Sequence, residues 1–343
     1  MFTRRLMAVA AVGVLGLSAC APAADSDTTS TPTPGGDRYV FAYDGGITVL
    51  DATTLEQVAN FPLAGFNRLN HFGDGEHALV STAGGFQVLA TGAGGGDATL
   101  TDLKFAAEKP GHVVAHAGTT VLFDDATGTM QLMPTTSLGA SATDTVTTLP
   151  QVDTRASEEA HHGVALQLAD GSLARTLGNS DKRVGVIVED ANGTDVARAE
   201  NCPSVHGEGT MKNDTLIFGC ENGVLLYING SFTKLDSPDA AYGRVGNAYV
   251  TDTSSVAVTD YKDDPDAEGY TLHRIGFADT VTSSFTVVDL PEGVEYTWRG
   301  IRRDEQDNAW ILGTDGKLHK VDVANMRVTD SIDVMGAWSG PAQ

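Results

Sequence analysis

Thr215-Leu-Ile-Phe-Gly-Cys-Glu-Asn-Gly-Val-Leu-Leu-Tyr-Ile228 holds two short apolar runs, 215–219 and 224–228, on either side of the turn dipeptide Asn222-Gly223. Runs this short, rich in β-branched and aromatic residues and closed by Asn and Gly, suit a strand pair; a helix would need a 3.6-residue period sustained over ten or more positions. The pattern recurs along the chain at 38–43, 77–81, 119–123, 255–258 and 309–312, with Gly-containing turns at Asp44-Gly-Gly46, Asp74-Gly75, Asp170-Gly171 and Asp315-Gly316. The chain is therefore expected to be all-β. Its 39 glycines in 343 residues exceed the roughly 7% average and match a protein made of many tight turns.

The strands group into units of about forty residues, the period of four-stranded propeller blades. The units are 37–64, 65–108, 109–156, 157–200, 201–238, 239–291 and 292–335, which predicts a single β-propeller of seven four-stranded blades over residues 37–343. The first unit is one strand short. The tail Gly336-Ala-Trp-Ser-Gly340 is available to supply that inner strand and close the ring.

A register check supports the repeat. His162, His206, Arg244 and Arg299 each precede by eight residues an Asp in the following turn: Asp170, Asp214, Asp252 and Asp307. An even spacing keeps residues on one face of a strand, so the four should occupy equivalent places in four blades, at one mouth of the central channel. Gly follows three of them, in His162-Gly163, His206-Gly207 and Arg299-Gly300, where inner strands crowd the axis.

Arg4 and Arg5 precede an apolar run, 6–17, that ends Leu17-Ser18-Ala19-Cys20. The run is too short for a stable membrane span and suits a signal segment, residues 1–19. Small residues before a Cys resemble a lipobox, so Cys20 is the expected lipidation site and the new N-terminus, exported and held on the membrane through the lipid alone. Residues 20–36, rich in Ser, Thr, Pro and Ala, read as a flexible tether. The charge is −23, from 22 Lys and Arg against 45 Asp and Glu. Loss of the signal removes two arginines and no acid, so the acidity belongs to the exported domain. Such a surface disfavours nucleic acid and anionic lipid and favours cations.

Cys202 and Cys220 then remain in an oxidising compartment, where two cysteines usually pair. Two buried thiols are the alternative, and a thiolate metal site is disfavoured by having only two sulfurs. Of nine histidines, five fall in three inner-strand segments: Gly111-His-Val-Val-Ala-His116, Glu158-Glu-Ala-His-His-Gly163 and Cys202-Pro-Ser-Val-His-Gly-Glu-Gly209. Imidazoles with a carboxylate, three or four together, suit a borderline cation such as zinc. His112 and His116 share a strand face about 13 Å apart, so a regular strand brings only one to a given ion. His161 and His162 face opposite ways, and one of them enters the channel. Glu208 shares a face with His206 and either ligates or orients a ligating imidazole. The acidic run from Asp260 to Glu268 lacks the ordered Gly and closing Glu of a calcium loop and reads as solvated surface. Neighbouring carboxylates such as Asp124-Asp125 diverge on a strand and make poor acid–base pairs. No G-x-S-x-G, H-E-x-x-H, G-x-x-x-x-G-K-[ST] or helix-entering G-x-G-x-x-G occurs, so no enzyme motif is present.

Five segments resemble the AztD-type zinc metallochaperones: Phe66-Asn-Arg-Leu-Asn70, Gly111-His-Val-Val-Ala-His116 with Leu122-Phe123, His161-His-Gly-Val-Ala165, Cys202-Pro-Ser-Val-His-Gly-Glu208 and Phe218-Gly-Cys-Glu-Asn-Gly-Val224. The likeness spans roughly residues 38–335. It implies a β-propeller that binds Zn2+ in the cell envelope and delivers it to the solute-binding protein of a zinc ABC importer, and that is not an enzyme. On the motif positions it implies a metal role for His112, His116, His162 and His206, and a Cys202–Cys220 disulfide. The chain departs from the family pattern in having no histidine between Cys20 and Asp37, so a His-rich N-terminal arm is missing. Three imidazoles with a carboxylate or water form a partly open site suited to ligand exchange, with zinc released below about pH 6 as ordinary imidazoles protonate. Two other readings remain: a metal-free propeller that scaffolds envelope proteins, and a lactonase- or lyase-type propeller using His and Arg on a small anion.

Overall fold

The computed structural model describes residues 36–139, 146–239, 242–266 and 271–339. The signal segment, Cys20 and all of the tether but Gly36 lie outside the described residues. Seven antiparallel sheets follow one another along the chain and form a seven-bladed β-propeller. The blades span 38–62, 69–106, 110–156, 165–199, 206–236, 248–289 and 296–333, each a meander in which successive strands pair. Blades two to seven have four strands; the first has three. Gly243 and Arg244, between blades five and six, form a short strand parallel to blade five at Asn222.

The meander places alternate side chains of each blade against the faces of its neighbours, and the apolar residues cluster accordingly. Six buried clusters bridge six successive blade pairs, from blades one and two (Ile47, Val80, Leu89) to blades six and seven (Phe277, Ile301, Ile311). Between blades three and four lie Phe123, Met130 and Ala165; between four and five lie Val186, Val205, Phe218 and Leu225. Burying each Val, Leu, Ile, Phe or Met among them contributes about 1.5–3 kcal/mol. Among the described residues no buried cluster bridges blades seven and one. The first strand of blade one, Arg38–Tyr43, instead leaves Tyr39, Phe41 and Tyr43 between 41% and 51% exposed.

The tail does not fill the missing place. Gly336 to Ser339 form no strand, while Trp338 donates its backbone N–H to the Thr314 carbonyl and its indole N–H to the Gly313 carbonyl, both 2.8 Å away. Those bonds tie the tail to a turn of blade seven. Gly340 lies outside the described residues.

The disulfide joins Cys202 to Cys220 with their Cα atoms 4.9 Å apart. Both sulfurs are buried in the cluster between blades four and five. The bridge fixes the segment leading to His206 against the strand Thr215–Cys220.

Candidate metal centre

Three blades bring three imidazoles together. His112 lies in the first strand of blade three, Pro110–His116, and His206 opens the first strand of blade five, His206–Met211. His162 stands just before the first strand of blade four, Ala165–Gln167. None of these places is regular ladder. Register slips between Pro110 and Val113 and between His206 and Gly209, and such bulges re-aim side chains at barrel rims and sites. Gly207 has φ +67°, and a Cβ there would stand 2.5 Å from the Gly246 carbonyl oxygen and 2.6 Å from Asn247 Cα. Only glycine permits that approach of the next chain segment.

The Nε2 atoms of His112 and His162 each lie 3.2 Å from the Nε2 of His206. A tetrahedral zinc with Zn–N bonds of about 2.0–2.1 Å holds its ligand atoms about 3.3–3.4 Å apart, so the spacing fits that ion. The opposite nitrogen of each ring is occupied. His206 Nδ1 donates to the Gly246 carbonyl at 2.6 Å, a group that can only accept. His112 Nδ1 meets Glu208 Oε1 at 3.0 Å and His162 Nδ1 meets Asp125 Oδ2 at 2.7 Å. Ionised carboxylates also only accept, so all three rings carry their proton on Nδ1 and turn an Nε2 lone pair inward. Three acceptors then face one another with no donor between them, an arrangement that a cation relieves.

Burial keeps the His206 ring neutral. Burial, then the repulsion a second proton would meet from a charged His112, pull the pKa of His206 down to about 4. Burial works against ionising Glu208, but attraction and hydrogen bonding by His112 outweigh it and hold the carboxyl at about 2. Neutral imidazoles and ionised orienting carboxylates are the forms metal binding needs. Acid release below about pH 6 assumes ordinary imidazoles; His206 departs from that, resisting protonation until about pH 4.

The remaining expected ligands are placed otherwise. Glu208 contacts His112 and is outside the three-nitrogen group. His116 sits apart, paired with Asp214 of blade five. The sequence separation already pointed there, since four residues of strand carry His116 toward the next turn. His161 faces away and bonds the Glu159 carbonyl and Thr176 Oγ1 at 2.8 and 2.9 Å.

Asp125 was not foreseen as a site residue. It diverges from its neighbour: Asp124 accepts the backbone N–H groups of Glu108 and Lys109, while Asp125, its side chain 4% exposed, turns to His162 and also accepts the Gly163 N–H at 3.3 Å. Gly111 makes room, since a Cβ there would collide with the Asp125 carboxylate. The signal available in sequence was the divergence itself, one carboxylate of the pair being sent toward the channel. The Gly246 carbonyl carried no signal.

Beside the triad lies a cavity of about 410 Å³ whose walls include His162, His206, Arg183, Arg244, Lys262, Asp260 and Trp298. The register of Arg244 with His206 thus puts both on one cavity, and Arg299 stacks on Trp298 with its guanidinium carbon 4.1 Å from the ring centroid. Asp260, expected at the solvated surface, is buried and accepts the Gly246 and Asn247 N–H groups.

No family model matches the chain. A curated relative, the zinc chaperone AztD of Citrobacter koseri, is 26% identical over 355 aligned positions covering 96% of this chain and 79% of the relative. The resemblance to AztD-type proteins read from the five segments is therefore borne out. Among solved structures, that of Citrobacter koseri AztD superposes with a TM-score of 0.69 at 21% identity, and its apo form with 0.70 at 22%, each covering 88% of this chain and 82% of the other. The dihydro-heme d1 dehydrogenase NirN reaches 0.60 at 17% identity over 90% of this chain and 67% of its own. Likenesses at these identities speak for the fold alone.

Proposed function

We propose that this protein is a zinc carrier of the cell envelope, not an enzyme, that takes up Zn2+ on His112, His162 and His206 and passes it to the solute-binding protein of a zinc ABC importer. The observation that carries the reading is the inward turn of three Nε2 lone pairs, each fixed from behind by Glu208, Asp125 or the Gly246 carbonyl. Similarity to a zinc chaperone supports the choice of ion and of role. Glu208 and Asp125 act as orienting groups. His116 is held in reserve by Asp214 and takes no part in the resting site.

A carrier must bind firmly and still let go. Three imidazoles leave the fourth position of a tetrahedral ion for water or an incoming ligand, so a receiving protein can attach before the carrier's own ligands leave. The His162 side chain is 37% exposed while that of His112 is 5%, which makes His162 the ligand reached first. Export by the signal segment 1–19 and acylation of Cys20, with 20–36 as tether and 37–343 as the working domain, keep the carrier beside a membrane transporter. The Cys202–Cys220 bridge accords with an extracytoplasmic site.

Mass spectrometry of gently purified protein, followed by transfer of its metal to a zinc-importer solute-binding protein, tests the proposal. About one zinc per chain, moving to the acceptor, is expected. Metal-free protein that also fails to take up added zinc would leave the scaffold reading standing.

A further inference from the structure

Acidic residues outnumber basic ones about two to one in the whole chain, yet the cavity beside the triad is walled by Arg183, Arg244 and Lys262 against Asp260 alone. A fourth cation, Arg299, lies over the ring of Trp298. Near the two arginines, Asp260 and Asp125 make their hydrogen bonds elsewhere. Asp260 accepts the Gly246 N–H, the Asn247 N–H and the Asn247 side-chain amide at 2.7–2.8 Å, and Asp125 is shared between His162 and Gly163. Among the described residues the Arg183 guanidinium has no hydrogen-bond or ion-pair partner, and Arg244 reaches only the Ser204 carbonyl, at 3.3 Å. Burial and the charge of Arg244 both disfavour the charged form of Arg183. Two guanidinium groups are thus held near each other, with Asp125 attracting Arg183 and Asp260 attracting Arg244, but with neither carboxylate hydrogen-bonded to them.

We propose that this cavity is an anion site for a small molecule bearing two or more carboxylate groups. Guanidinium groups take carboxylates in paired hydrogen bonds, and the two arginines offer two such places. The volume of about 410 Å³ holds roughly a dozen non-hydrogen atoms at about 30 Å³ for each water-sized group. Leu272 and Trp298 on the wall suit a short carbon skeleton, which inorganic phosphate lacks. Since His162 and His206 line the same space, one carboxylate of the bound anion stands beside the fourth position of the metal. That last step rests on the zinc reading; anion binding itself does not.

The test uses the full chain, stripped of metal, with citrate as probe and inorganic phosphate as comparison, followed by calorimetry and tryptophan fluorescence. Citrate is expected to bind once per chain, perturbing tryptophan emission, with phosphate at least about tenfold weaker. Arg183→Gln and Arg244→Gln are each expected to weaken citrate by about tenfold or more. Should Arg244→Gln lose the native circular dichroism, Arg183→Gln decides, because that guanidinium has no protein partner to lose. No citrate binding up to about 10 mM, unchanged affinity in Arg183→Gln, or phosphate binding as tightly as citrate would each overturn the proposal. Zinc affinity is measured separately in citrate-free buffer, so failure of the anion site and failure of the metal site are told apart.

Discussion

Replacing Asp125 by Asn changes one oxygen to an amide and tests the metal centre at its least exposed support. The carboxylate serves two donors at once, His162 Nδ1 at 2.7 Å and the Gly163 N–H at 3.3 Å. An amide cannot serve both. With its oxygen toward Gly163, its NH2 group meets the His162 N–H; the ring must then move its proton to Nε2, which removes the lone pair a metal needs. With the amide turned over, its NH2 group meets the Gly163 N–H instead. Either conflict of buried donors costs about 1–3 kcal/mol, and loss of an orienting partner behind a ligating imidazole usually costs about tenfold to a hundredfold in metal affinity, or about 1.4–2.7 kcal/mol. Competition for zinc against a chromophoric chelator near pH 7.5 reads the effect. Asp124→Asn is the matched control: the two oxygens accept the Glu108 and Lys109 N–H groups separately, an amide keeps only one of these acceptors, and the loss should cost about 2 kcal/mol of stability with zinc affinity unchanged. Zinc affinity of Asp125→Asn within about threefold of the parent, or an equal loss in both variants, would refute the orienting role.

His206→Ala and His162→Ala should each weaken zinc by well over about tenfold, whereas His116→Ala, which severs only the contact to Asp214, should leave affinity within about twofold in the same competition assay. Gly207→Ala must place a Cβ 2.5 Å from the Gly246 oxygen at φ +67°, and urea denaturation should show a loss of about 3 kcal/mol or more. Acid should weaken the metal-free fold through His206: its folded pKa, about 4, lies below the ordinary value of about 6.5. The unfolded chain therefore binds the extra proton first, so this contribution is whole above about pH 6.5 and is lost as pH falls toward 4, by up to about 3 kcal/mol. His206→Gln should flatten that slope in denaturation measured from pH 7 down to pH 4.

The blades were legible because each strand is short, apolar and closed by a turn residue, and because a forty-residue period leaves few other architectures. The common place of His162, His206 and Arg244 followed from one even spacing to the next turn. Regular alternation, however, could not say what a bulge does: the slip between His206 and Gly209 decides that Glu208 reaches His112 across the channel. Asp125, Arg183 and Trp298 belong to no repeat position shared with the histidines, and their convergence is a product of ring closure over long sequence distance. The tail failed as an inner strand because Trp338 found two carbonyls on blade seven, a competition that composition does not reveal.

Among the described residues, the missing buried cluster between blades seven and one gives the ring two ends in a shape that otherwise has none. Among the described residues six buried clusters join seven blades, so blade one is held by a single cluster, that of Ile47, Val80 and Leu89, whereas blade four is held by two. In a stack with nearest-neighbour coupling, opening starts at the ends and the centre melts last. His112, His162 and His206 belong to the third, fourth and fifth blades, at the middle of the row.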